Sequence, residues 1–384
     1  MCCQVLKNRK KSSQSYCFIP IFIFLFTPLM LFRFFRFLPG YALLLPAFIS
    51  CKMRPDVEHS FYYWKTSFAT DTTVQTFIAK NQIDHFYLRY MDVDWSYQQS
   101  MPVPRAEITG IDKAAPFLQK KFTPVVFITN KIFEKIDNYW ADSLPYKVRN
   151  RIVFINNKIK QTQKQAGIII SNYEPQEIQI DCDWTETTRE RYFTFLQKLK
   201  QLLPDKIISV TIRLYPYKYR SKMGVPPVDK GMLMCYNMSN IRHNTTTNSV
   251  FDIKDLEQYL TPTAPYPLPL DAALPVFGWY AWFNAGNFKG IVYPNEHQQL
   301  LADTNYFVKT GNILIVKTDV EINNQYLRHG DVLRPEFPDE KALIKAGKLL
   351  GDKLPNIKRI AFYHYDNQLT NQYKNTIEKI YKMY

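Results

Sequence analysis

From residue 59 onward, apolar runs of strand length alternate with stretches whose apolar positions recur at helical spacing. The pattern predicts strands at 61–68, 85–93, 124–129, 177–183, 207–215, 232–238, 272–279 and 359–365. Helices are predicted at 72–80 (with Asp71 as N-cap), 146–165, 187–203, 252–260, 339–350 and 372–383. Residues 285–337 break the alternation with short β-rich runs and turn pairs such as Thr310-Gly311 and His329-Gly330. Eight strands with interspersed helices predict an α/β fold: a single (β/α)8 TIM-type barrel over 59–384, with a β-rich insertion between strands seven and eight. The proline-rich stretch 261–269 reads as a stiff connection into strand seven.

The first fifty residues follow a different rule. Lys7, Arg9, Lys10 and Lys11 precede an apolar run from Tyr16 to Phe32, and after Arg33 and Arg36 a second apolar run reaches Ser50. This is a signal or membrane-targeting region, 1–50. Phe48-Ile49-Ser50-Cys51 is similar to the lipobox of bacterial lipoproteins. Cys51 would then carry the lipid, and 51–58 would form a tether. That places the protein at a bacterial cell envelope, lipid-anchored and facing the periplasm. A plain transmembrane anchor is the alternative. Met30 offers a second start, since Met30 to Ser50 alone has the form of a signal peptide.

Charge changes this picture little. The chain of 384 residues carries a formal +15, six of it from residues 1–50. No Lys/Arg run interleaved with aromatics occurs in the body, so no nucleic-acid partner is expected. Of the six cysteines, only Cys182 and Cys235 lie in the body, each inside a predicted buried strand, so both read as core. No metal and no cofactor is expected.

Function in such barrels sits at the C-terminal ends of the strands. Strand four ends Asp181-Cys-Asp183-Trp184-Thr185, and strand two ends Arg89-Tyr-Met-Asp92-Val-Asp94-Trp95. Arg213, Tyr236, Asn237 and Trp279 close other strands, with His85 and His364 as weaker candidates. Asp181 and Asp183 are two apart, so they share a strand face, and like charges there raise one apparent pKa. Carboxylates can hydrogen-bond hydroxyls, while Trp and Tyr stack on sugar rings. This predicts a glycan site at the barrel mouth, with Asp181 and Asp183 as candidate catalytic groups. Trp184, Tyr236, Asn237, Asp92, Asp94, Trp95, Arg89, Arg213 and Trp279 would bind the oligosaccharide. The competing reading is a buried ion-pair network in which Arg89 or Arg213 neutralises Asp181 and Asp183.

These motifs resemble those of the family-18 glycoside hydrolases, the chitinase-like barrels. That family's strand-four signature is Asp-x-x-Asp-x-Asp-x-Glu, and Asp181 and Asp183 fall on its second and third Asp. Met234-Cys-Tyr236-Asn237 matches the strand-six Met-x-Tyr-Asp pattern. Ile178 replaces the first Asp, Thr185 the acidic Glu and Asn237 the strand-six Asp. Strand three reads Val125-Val-Phe-Ile-Thr-Asn130 in place of Ser-x-Gly-Gly. In the family the Glu protonates the leaving oxygen and the substrate's N-acetyl group is the nucleophile. The resemblance therefore implies a glycosidase-like barrel that binds glycan without family-18-type hydrolysis. An active hydrolase using Asp183, Asp92 or Asp94 as acid is one alternative, and an envelope scaffold is another.

Overall fold

The computed structural model describes residues 57–68, 72–165, 167, 174–261, 264–294 and 297–384. The expected targeting region, the Cys51 lipidation site, the Asp71 cap and the tether as far as residue 56 lie outside the described residues. Among the described residues no helix is long and apolar enough to cross a membrane.

The strands in chain order are β1 (Glu58–Tyr63), β2 (His85–Ser96), β3 (Met101–Arg105), β4 (Lys121–Ile128), β5 (Glu177–Asp181), β6 (Ile207–Arg213), β7 (Lys230–Met234) and β8 (Leu270–Pro275). There follow β9 (Trp279–Asn284), β10 (Asn287–Val292), β11 (Phe307–Thr310), β12 (Ile313–Val316), β13 (Val320–Ile322), β14 (Gln325–Leu327), β15 (Val332–Glu336) and β16 (Arg359–Tyr363). Pairing runs β1-β2-β4-β5-β6-β7-β8-β16 and returns to β1, parallel throughout. This is a closed (β/α)8 barrel, with β3 added antiparallel to the outer half of β2. The helices 72–80 and 253–259 fall where apolar spacing placed them, and Asp252 caps the latter by accepting from the Lys254 N–H.

Between the seventh and eighth barrel strands lies an antiparallel sheet in the order β10-β9-β15-β12-β11, with its own small apolar core around Val292, Phe307, Val316 and Leu333. It begins earlier than the expected 285. The apolar run predicted as one strand over 272–279 is divided, because Pro275 ends β8 and Trp279 opens β9. Gly278 sits at this junction, where a Cβ would lie 2.3 Å from the Phe337 ring and 2.7 Å from the Glu336 carbonyl oxygen.

The barrel interior is layered, because alternate residues of each strand point inward. At the N-terminal ends the layer is ionic. Arg359 meets Glu58 at 2.7 Å and Glu177 at 2.9 Å, and Lys230 pairs with Glu177 and Asp271. Burial pushes the Glu177 carboxyl up, but Lys230 and Arg359 more than offset it, and its pKa is lowered. His85 belongs here too, bridging Ser60 and Thr123 at 2.8 and 2.9 Å, with its pKa lowered chiefly by burial. A charged network therefore exists, but at the opposite end from the one weighed for Asp181 and Asp183. The middle layer is aromatic: Tyr62 stacks on Tyr87 at 4.5 Å and donates to Gln179 at 2.7 Å.

Candidate functional site

The upper layer is built by the C-terminal ends of β1, β2, β5, β6 and β16. On β5, residues 177, 179 and 181 face inward, so Asp181 tops the column. On β6 the same alternation lifts Thr211 beside it, and the Thr211 hydroxyl donates to Asp181 at 2.5 Å. Among the described residues no cation lies within salt-bridge distance of Asp181. Burial first, then the charge of Asp183, raises its pKa from 3.8 to about 7, against the Thr211 hydrogen bond. Tyr62, Tyr236 and Tyr363 are close enough to feel its charge.

Arg89 and Asp92 would face opposite sides of a regular strand. A register shift between Arg89 and Met91 turns the outer half of β2 and brings both inward. Arg89 then grips Asp92 with Nε at 2.7 Å and a second, shorter contact, while its other terminal nitrogen donates to the Trp64 carbonyl at 3.1 Å. Its guanidinium lies over the Trp64 ring at 5.2 Å. Asp94 accepts from the Thr129 hydroxyl at 2.7 Å and from the Trp95 N–H at 2.8 Å. Both carboxylates are thus held within the wall.

Asp183 lies past the end of β5. It pairs with Arg213 at 3.2 Å, and both side chains are more than half exposed, so this contact is not a buried network. Trp184, expected as a stacking surface near the rim, is buried. It stacks on Tyr192 at 5.5 Å, and its indole N–H donates to the Met223 carbonyl at 3.1 Å. Strand alternation sends it out against the helices, so it offers no face to a ligand. Thr185 is exposed and shares its hydroxyl with Thr187 and Thr188 at 3.0 and 3.1 Å. Glu186, one residue later, turns away to Lys222 at 3.1 Å.

The opposite wall is aromatic. Tyr236 is nearly buried and stacks on Tyr363 at 5.0 Å, with Phe277 edge-on at 5.5 Å. Trp279 is part-exposed and tied by its indole N–H to Glu336 at 3.0 Å. Trp64 meets Tyr363 at 5.4 Å. Asn237 takes a left-handed conformation, φ 53°, which turns the chain out of the barrel after β7. Trp95 is part-buried against the core, and His364 lies part-exposed beside Phe277. Cys182 and Cys235 are buried and free.

The structure therefore brings Asp181, Asp92, Arg89 and Tyr236 together, with Asp183 and Arg213 at the rim. Sequence reasoning missed Thr211, Trp64 and Tyr363. The inward alternation Ser209, Thr211, Arg213 was the available signal for the first of these. Among the described residues no group of three or more His, Cys, Asp or Glu side chains could hold a metal ion.

No family model and no curated protein sequence matches the chain. Solved structures do match. A chitinase from Chromobacterium violaceum ATCC 12472 superposes with a TM-score of 0.50 at 12% identity, over 84% of this chain and 99% of that one. The C-terminal domain of a putative chitinase from Desulfitobacterium hafniense DCB-2 gives 0.50 at 11%, over 85% and 99%. The barrel bears a distant resemblance to the family-18 glycoside hydrolases.

Proposed function

We propose that the barrel mouth binds an oligosaccharide and does not cleave it by the family-18 route. The observation that carries this is Asp181: a carboxyl with no cationic partner, pKa raised to about 7, facing a mouth walled by Trp64, Tyr363 and Trp279. An ion without a partner is costly to keep inside a barrel, and a ligand hydroxyl is one group that would use it. The aromatic rings supply stacking faces for a sugar. The chitinase-like fold adds support of a general kind.

The absence of family-18 cleavage rests on position 185. A threonine hydroxyl cannot protonate a leaving oxygen at physiological pH. Glu186, one residue later, turns away toward Lys222, Asp92 is gripped by Arg89 within the wall, and Asp183 makes only a half-exposed contact with Arg213. Measured binding of the parent chain to a glycan panel, together with release of reducing ends from every glycan bound, tests both halves. Binding to no glycan sinks the first half. Hydrolysis with retained anomeric configuration sinks the second. The reading extends to location: the basic and apolar N-terminal pattern and Cys51 support a lipid-anchored protein of a bacterial envelope.

A further inference from the structure

The helix Asn138–Gln165 buries Leu144, Val148, Ile152, Ile155 and Ile159 against the barrel. The outer face of such a helix is ordinarily polar. Here Tyr139, Tyr146 and Val153 recur every seven residues, about two turns, and so stand in one line, with Phe154 beside it. They are 65%, 55%, 38% and 51% exposed, too open to be core.

Cations flank this line on both sides. At ~3.6 residues per turn, Arg149 and Lys160 fall along one edge and Lys147 and Lys158 along the other. Among the described residues none of these four has a carboxylate within salt-bridge distance. The one acid of the helix, Asp142, is already paired with Lys198, and Arg151 is held by Glu107 at 2.5 Å. The face is therefore an apolar stripe between two rows of uncompensated positive charge.

We propose that this helix face lies on an anionic lipid surface, with the tyrosines and Phe154 in the headgroup region and the flanking cations against lipid phosphates. Lysine and arginine stems reach outward from such a stripe, and Tyr is suited to an interface with one wet end. The charge argues for an anionic partner and against a second copy of this chain, whose equivalent face would repel it. The inference stands independently of the glycan reading.

The test uses the full chain with a photo-cross-linking residue at Asn150, an exposed position within the stripe. Irradiation is done on vesicles containing anionic phosphatidylglycerol and on purely zwitterionic vesicles. A second chain carries the probe at Tyr326, on β14, as the control. Lipid adducts at 150 are expected to be several-fold more abundant on the anionic vesicles and to fall in high salt. Each cation removed should lower the yield about fivefold. Lys147→Gln with Lys158→Gln is the variant used, and an unchanged melting temperature separates loss of lipid contact from loss of folding. Equal adduct yield on both vesicles, equal yield at 150 and 326, or adducts only to another protein copy would overturn the proposal.

Discussion

Replacing Asp181 by Asn removes a charge while keeping the shape and the acceptor for Thr211. In the parent, the carboxyl titrates near 7 in the folded state against an ordinary value of 3.8. Between those values the folded chain holds a proton that the unfolded chain has released. Stability therefore falls as pH rises from about 4 to about 7 and is level above that. The interval corresponds to about 4 kcal/mol at ~1.36 kcal/mol per pH unit. The side chain is part-exposed to the mouth, so water screens part of this, and about 2–4 kcal/mol is expected. Asp181→Asn should thus be more stable than the parent at pH 8 and level with it near pH 4, read by denaturant unfolding at each pH. Glycan affinity should move the other way. Loss of hydrogen bonds to a charged acceptor costs about 1.5–3 kcal/mol at pH 8, and the gap should shrink at pH 5, where the parent is itself protonated. A variant that gains stability while losing binding is the mark of a group kept for a ligand. If Asp181→Asn is destabilised at pH 8, or if its stability difference does not change with pH, the reasoning fails.

Asp183→Asn breaks a half-exposed pair with Arg213, so stability should change by no more than about 0.5 kcal/mol, while glycan affinity drops by about 1 kcal/mol; unchanged affinity in calorimetry removes Asp183 from the site. Arg89→Ala leaves Asp92 in the wall without its partner and should cost about 3 kcal/mol in chemical denaturation; a loss under about 1 kcal/mol contradicts the bidentate grip. Cys51→Ala should release the protein from membranes or leave an uncleaved precursor in fractionation; normal processing and anchoring would exclude lipidation there.

The barrel was legible because its strands and helices differ in period, and period survives without side-chain detail. What the sequence concealed has specific causes. β3 contains Pro102 and Pro104, which read as breakers, yet an outer strand tolerates them. β1 begins at Glu58, three residues before the apolar run, because Glu58 and Ser60 face a polar interior. Asp181 and Asp183 were visible as a pair, but only the end of β5 at Asp181 separates an inward carboxyl from a rim carboxyl. Trp184 followed the alternation rule and not the analogy with a sugar-stacking surface. The grip of Arg89 on Asp92 required the register shift in β2, which no local signal announces.

Arg359 meets Glu58 across 301 positions of sequence and Glu177 across 182. During synthesis β1 emerges early, yet one of its edges stays unpaired until β16 leaves the ribosome. Until then β1 and β8 are open sheet edges, and Glu58 and Glu177 wait without their shared guanidinium. Such long-range closure is slow, and unpaired edges recruit other chains. Ribosome stalling or proteolytic clipping before residue 359 would therefore leave a chain that is nearly full length yet unable to shut, prone to aggregation and to quality-control proteases.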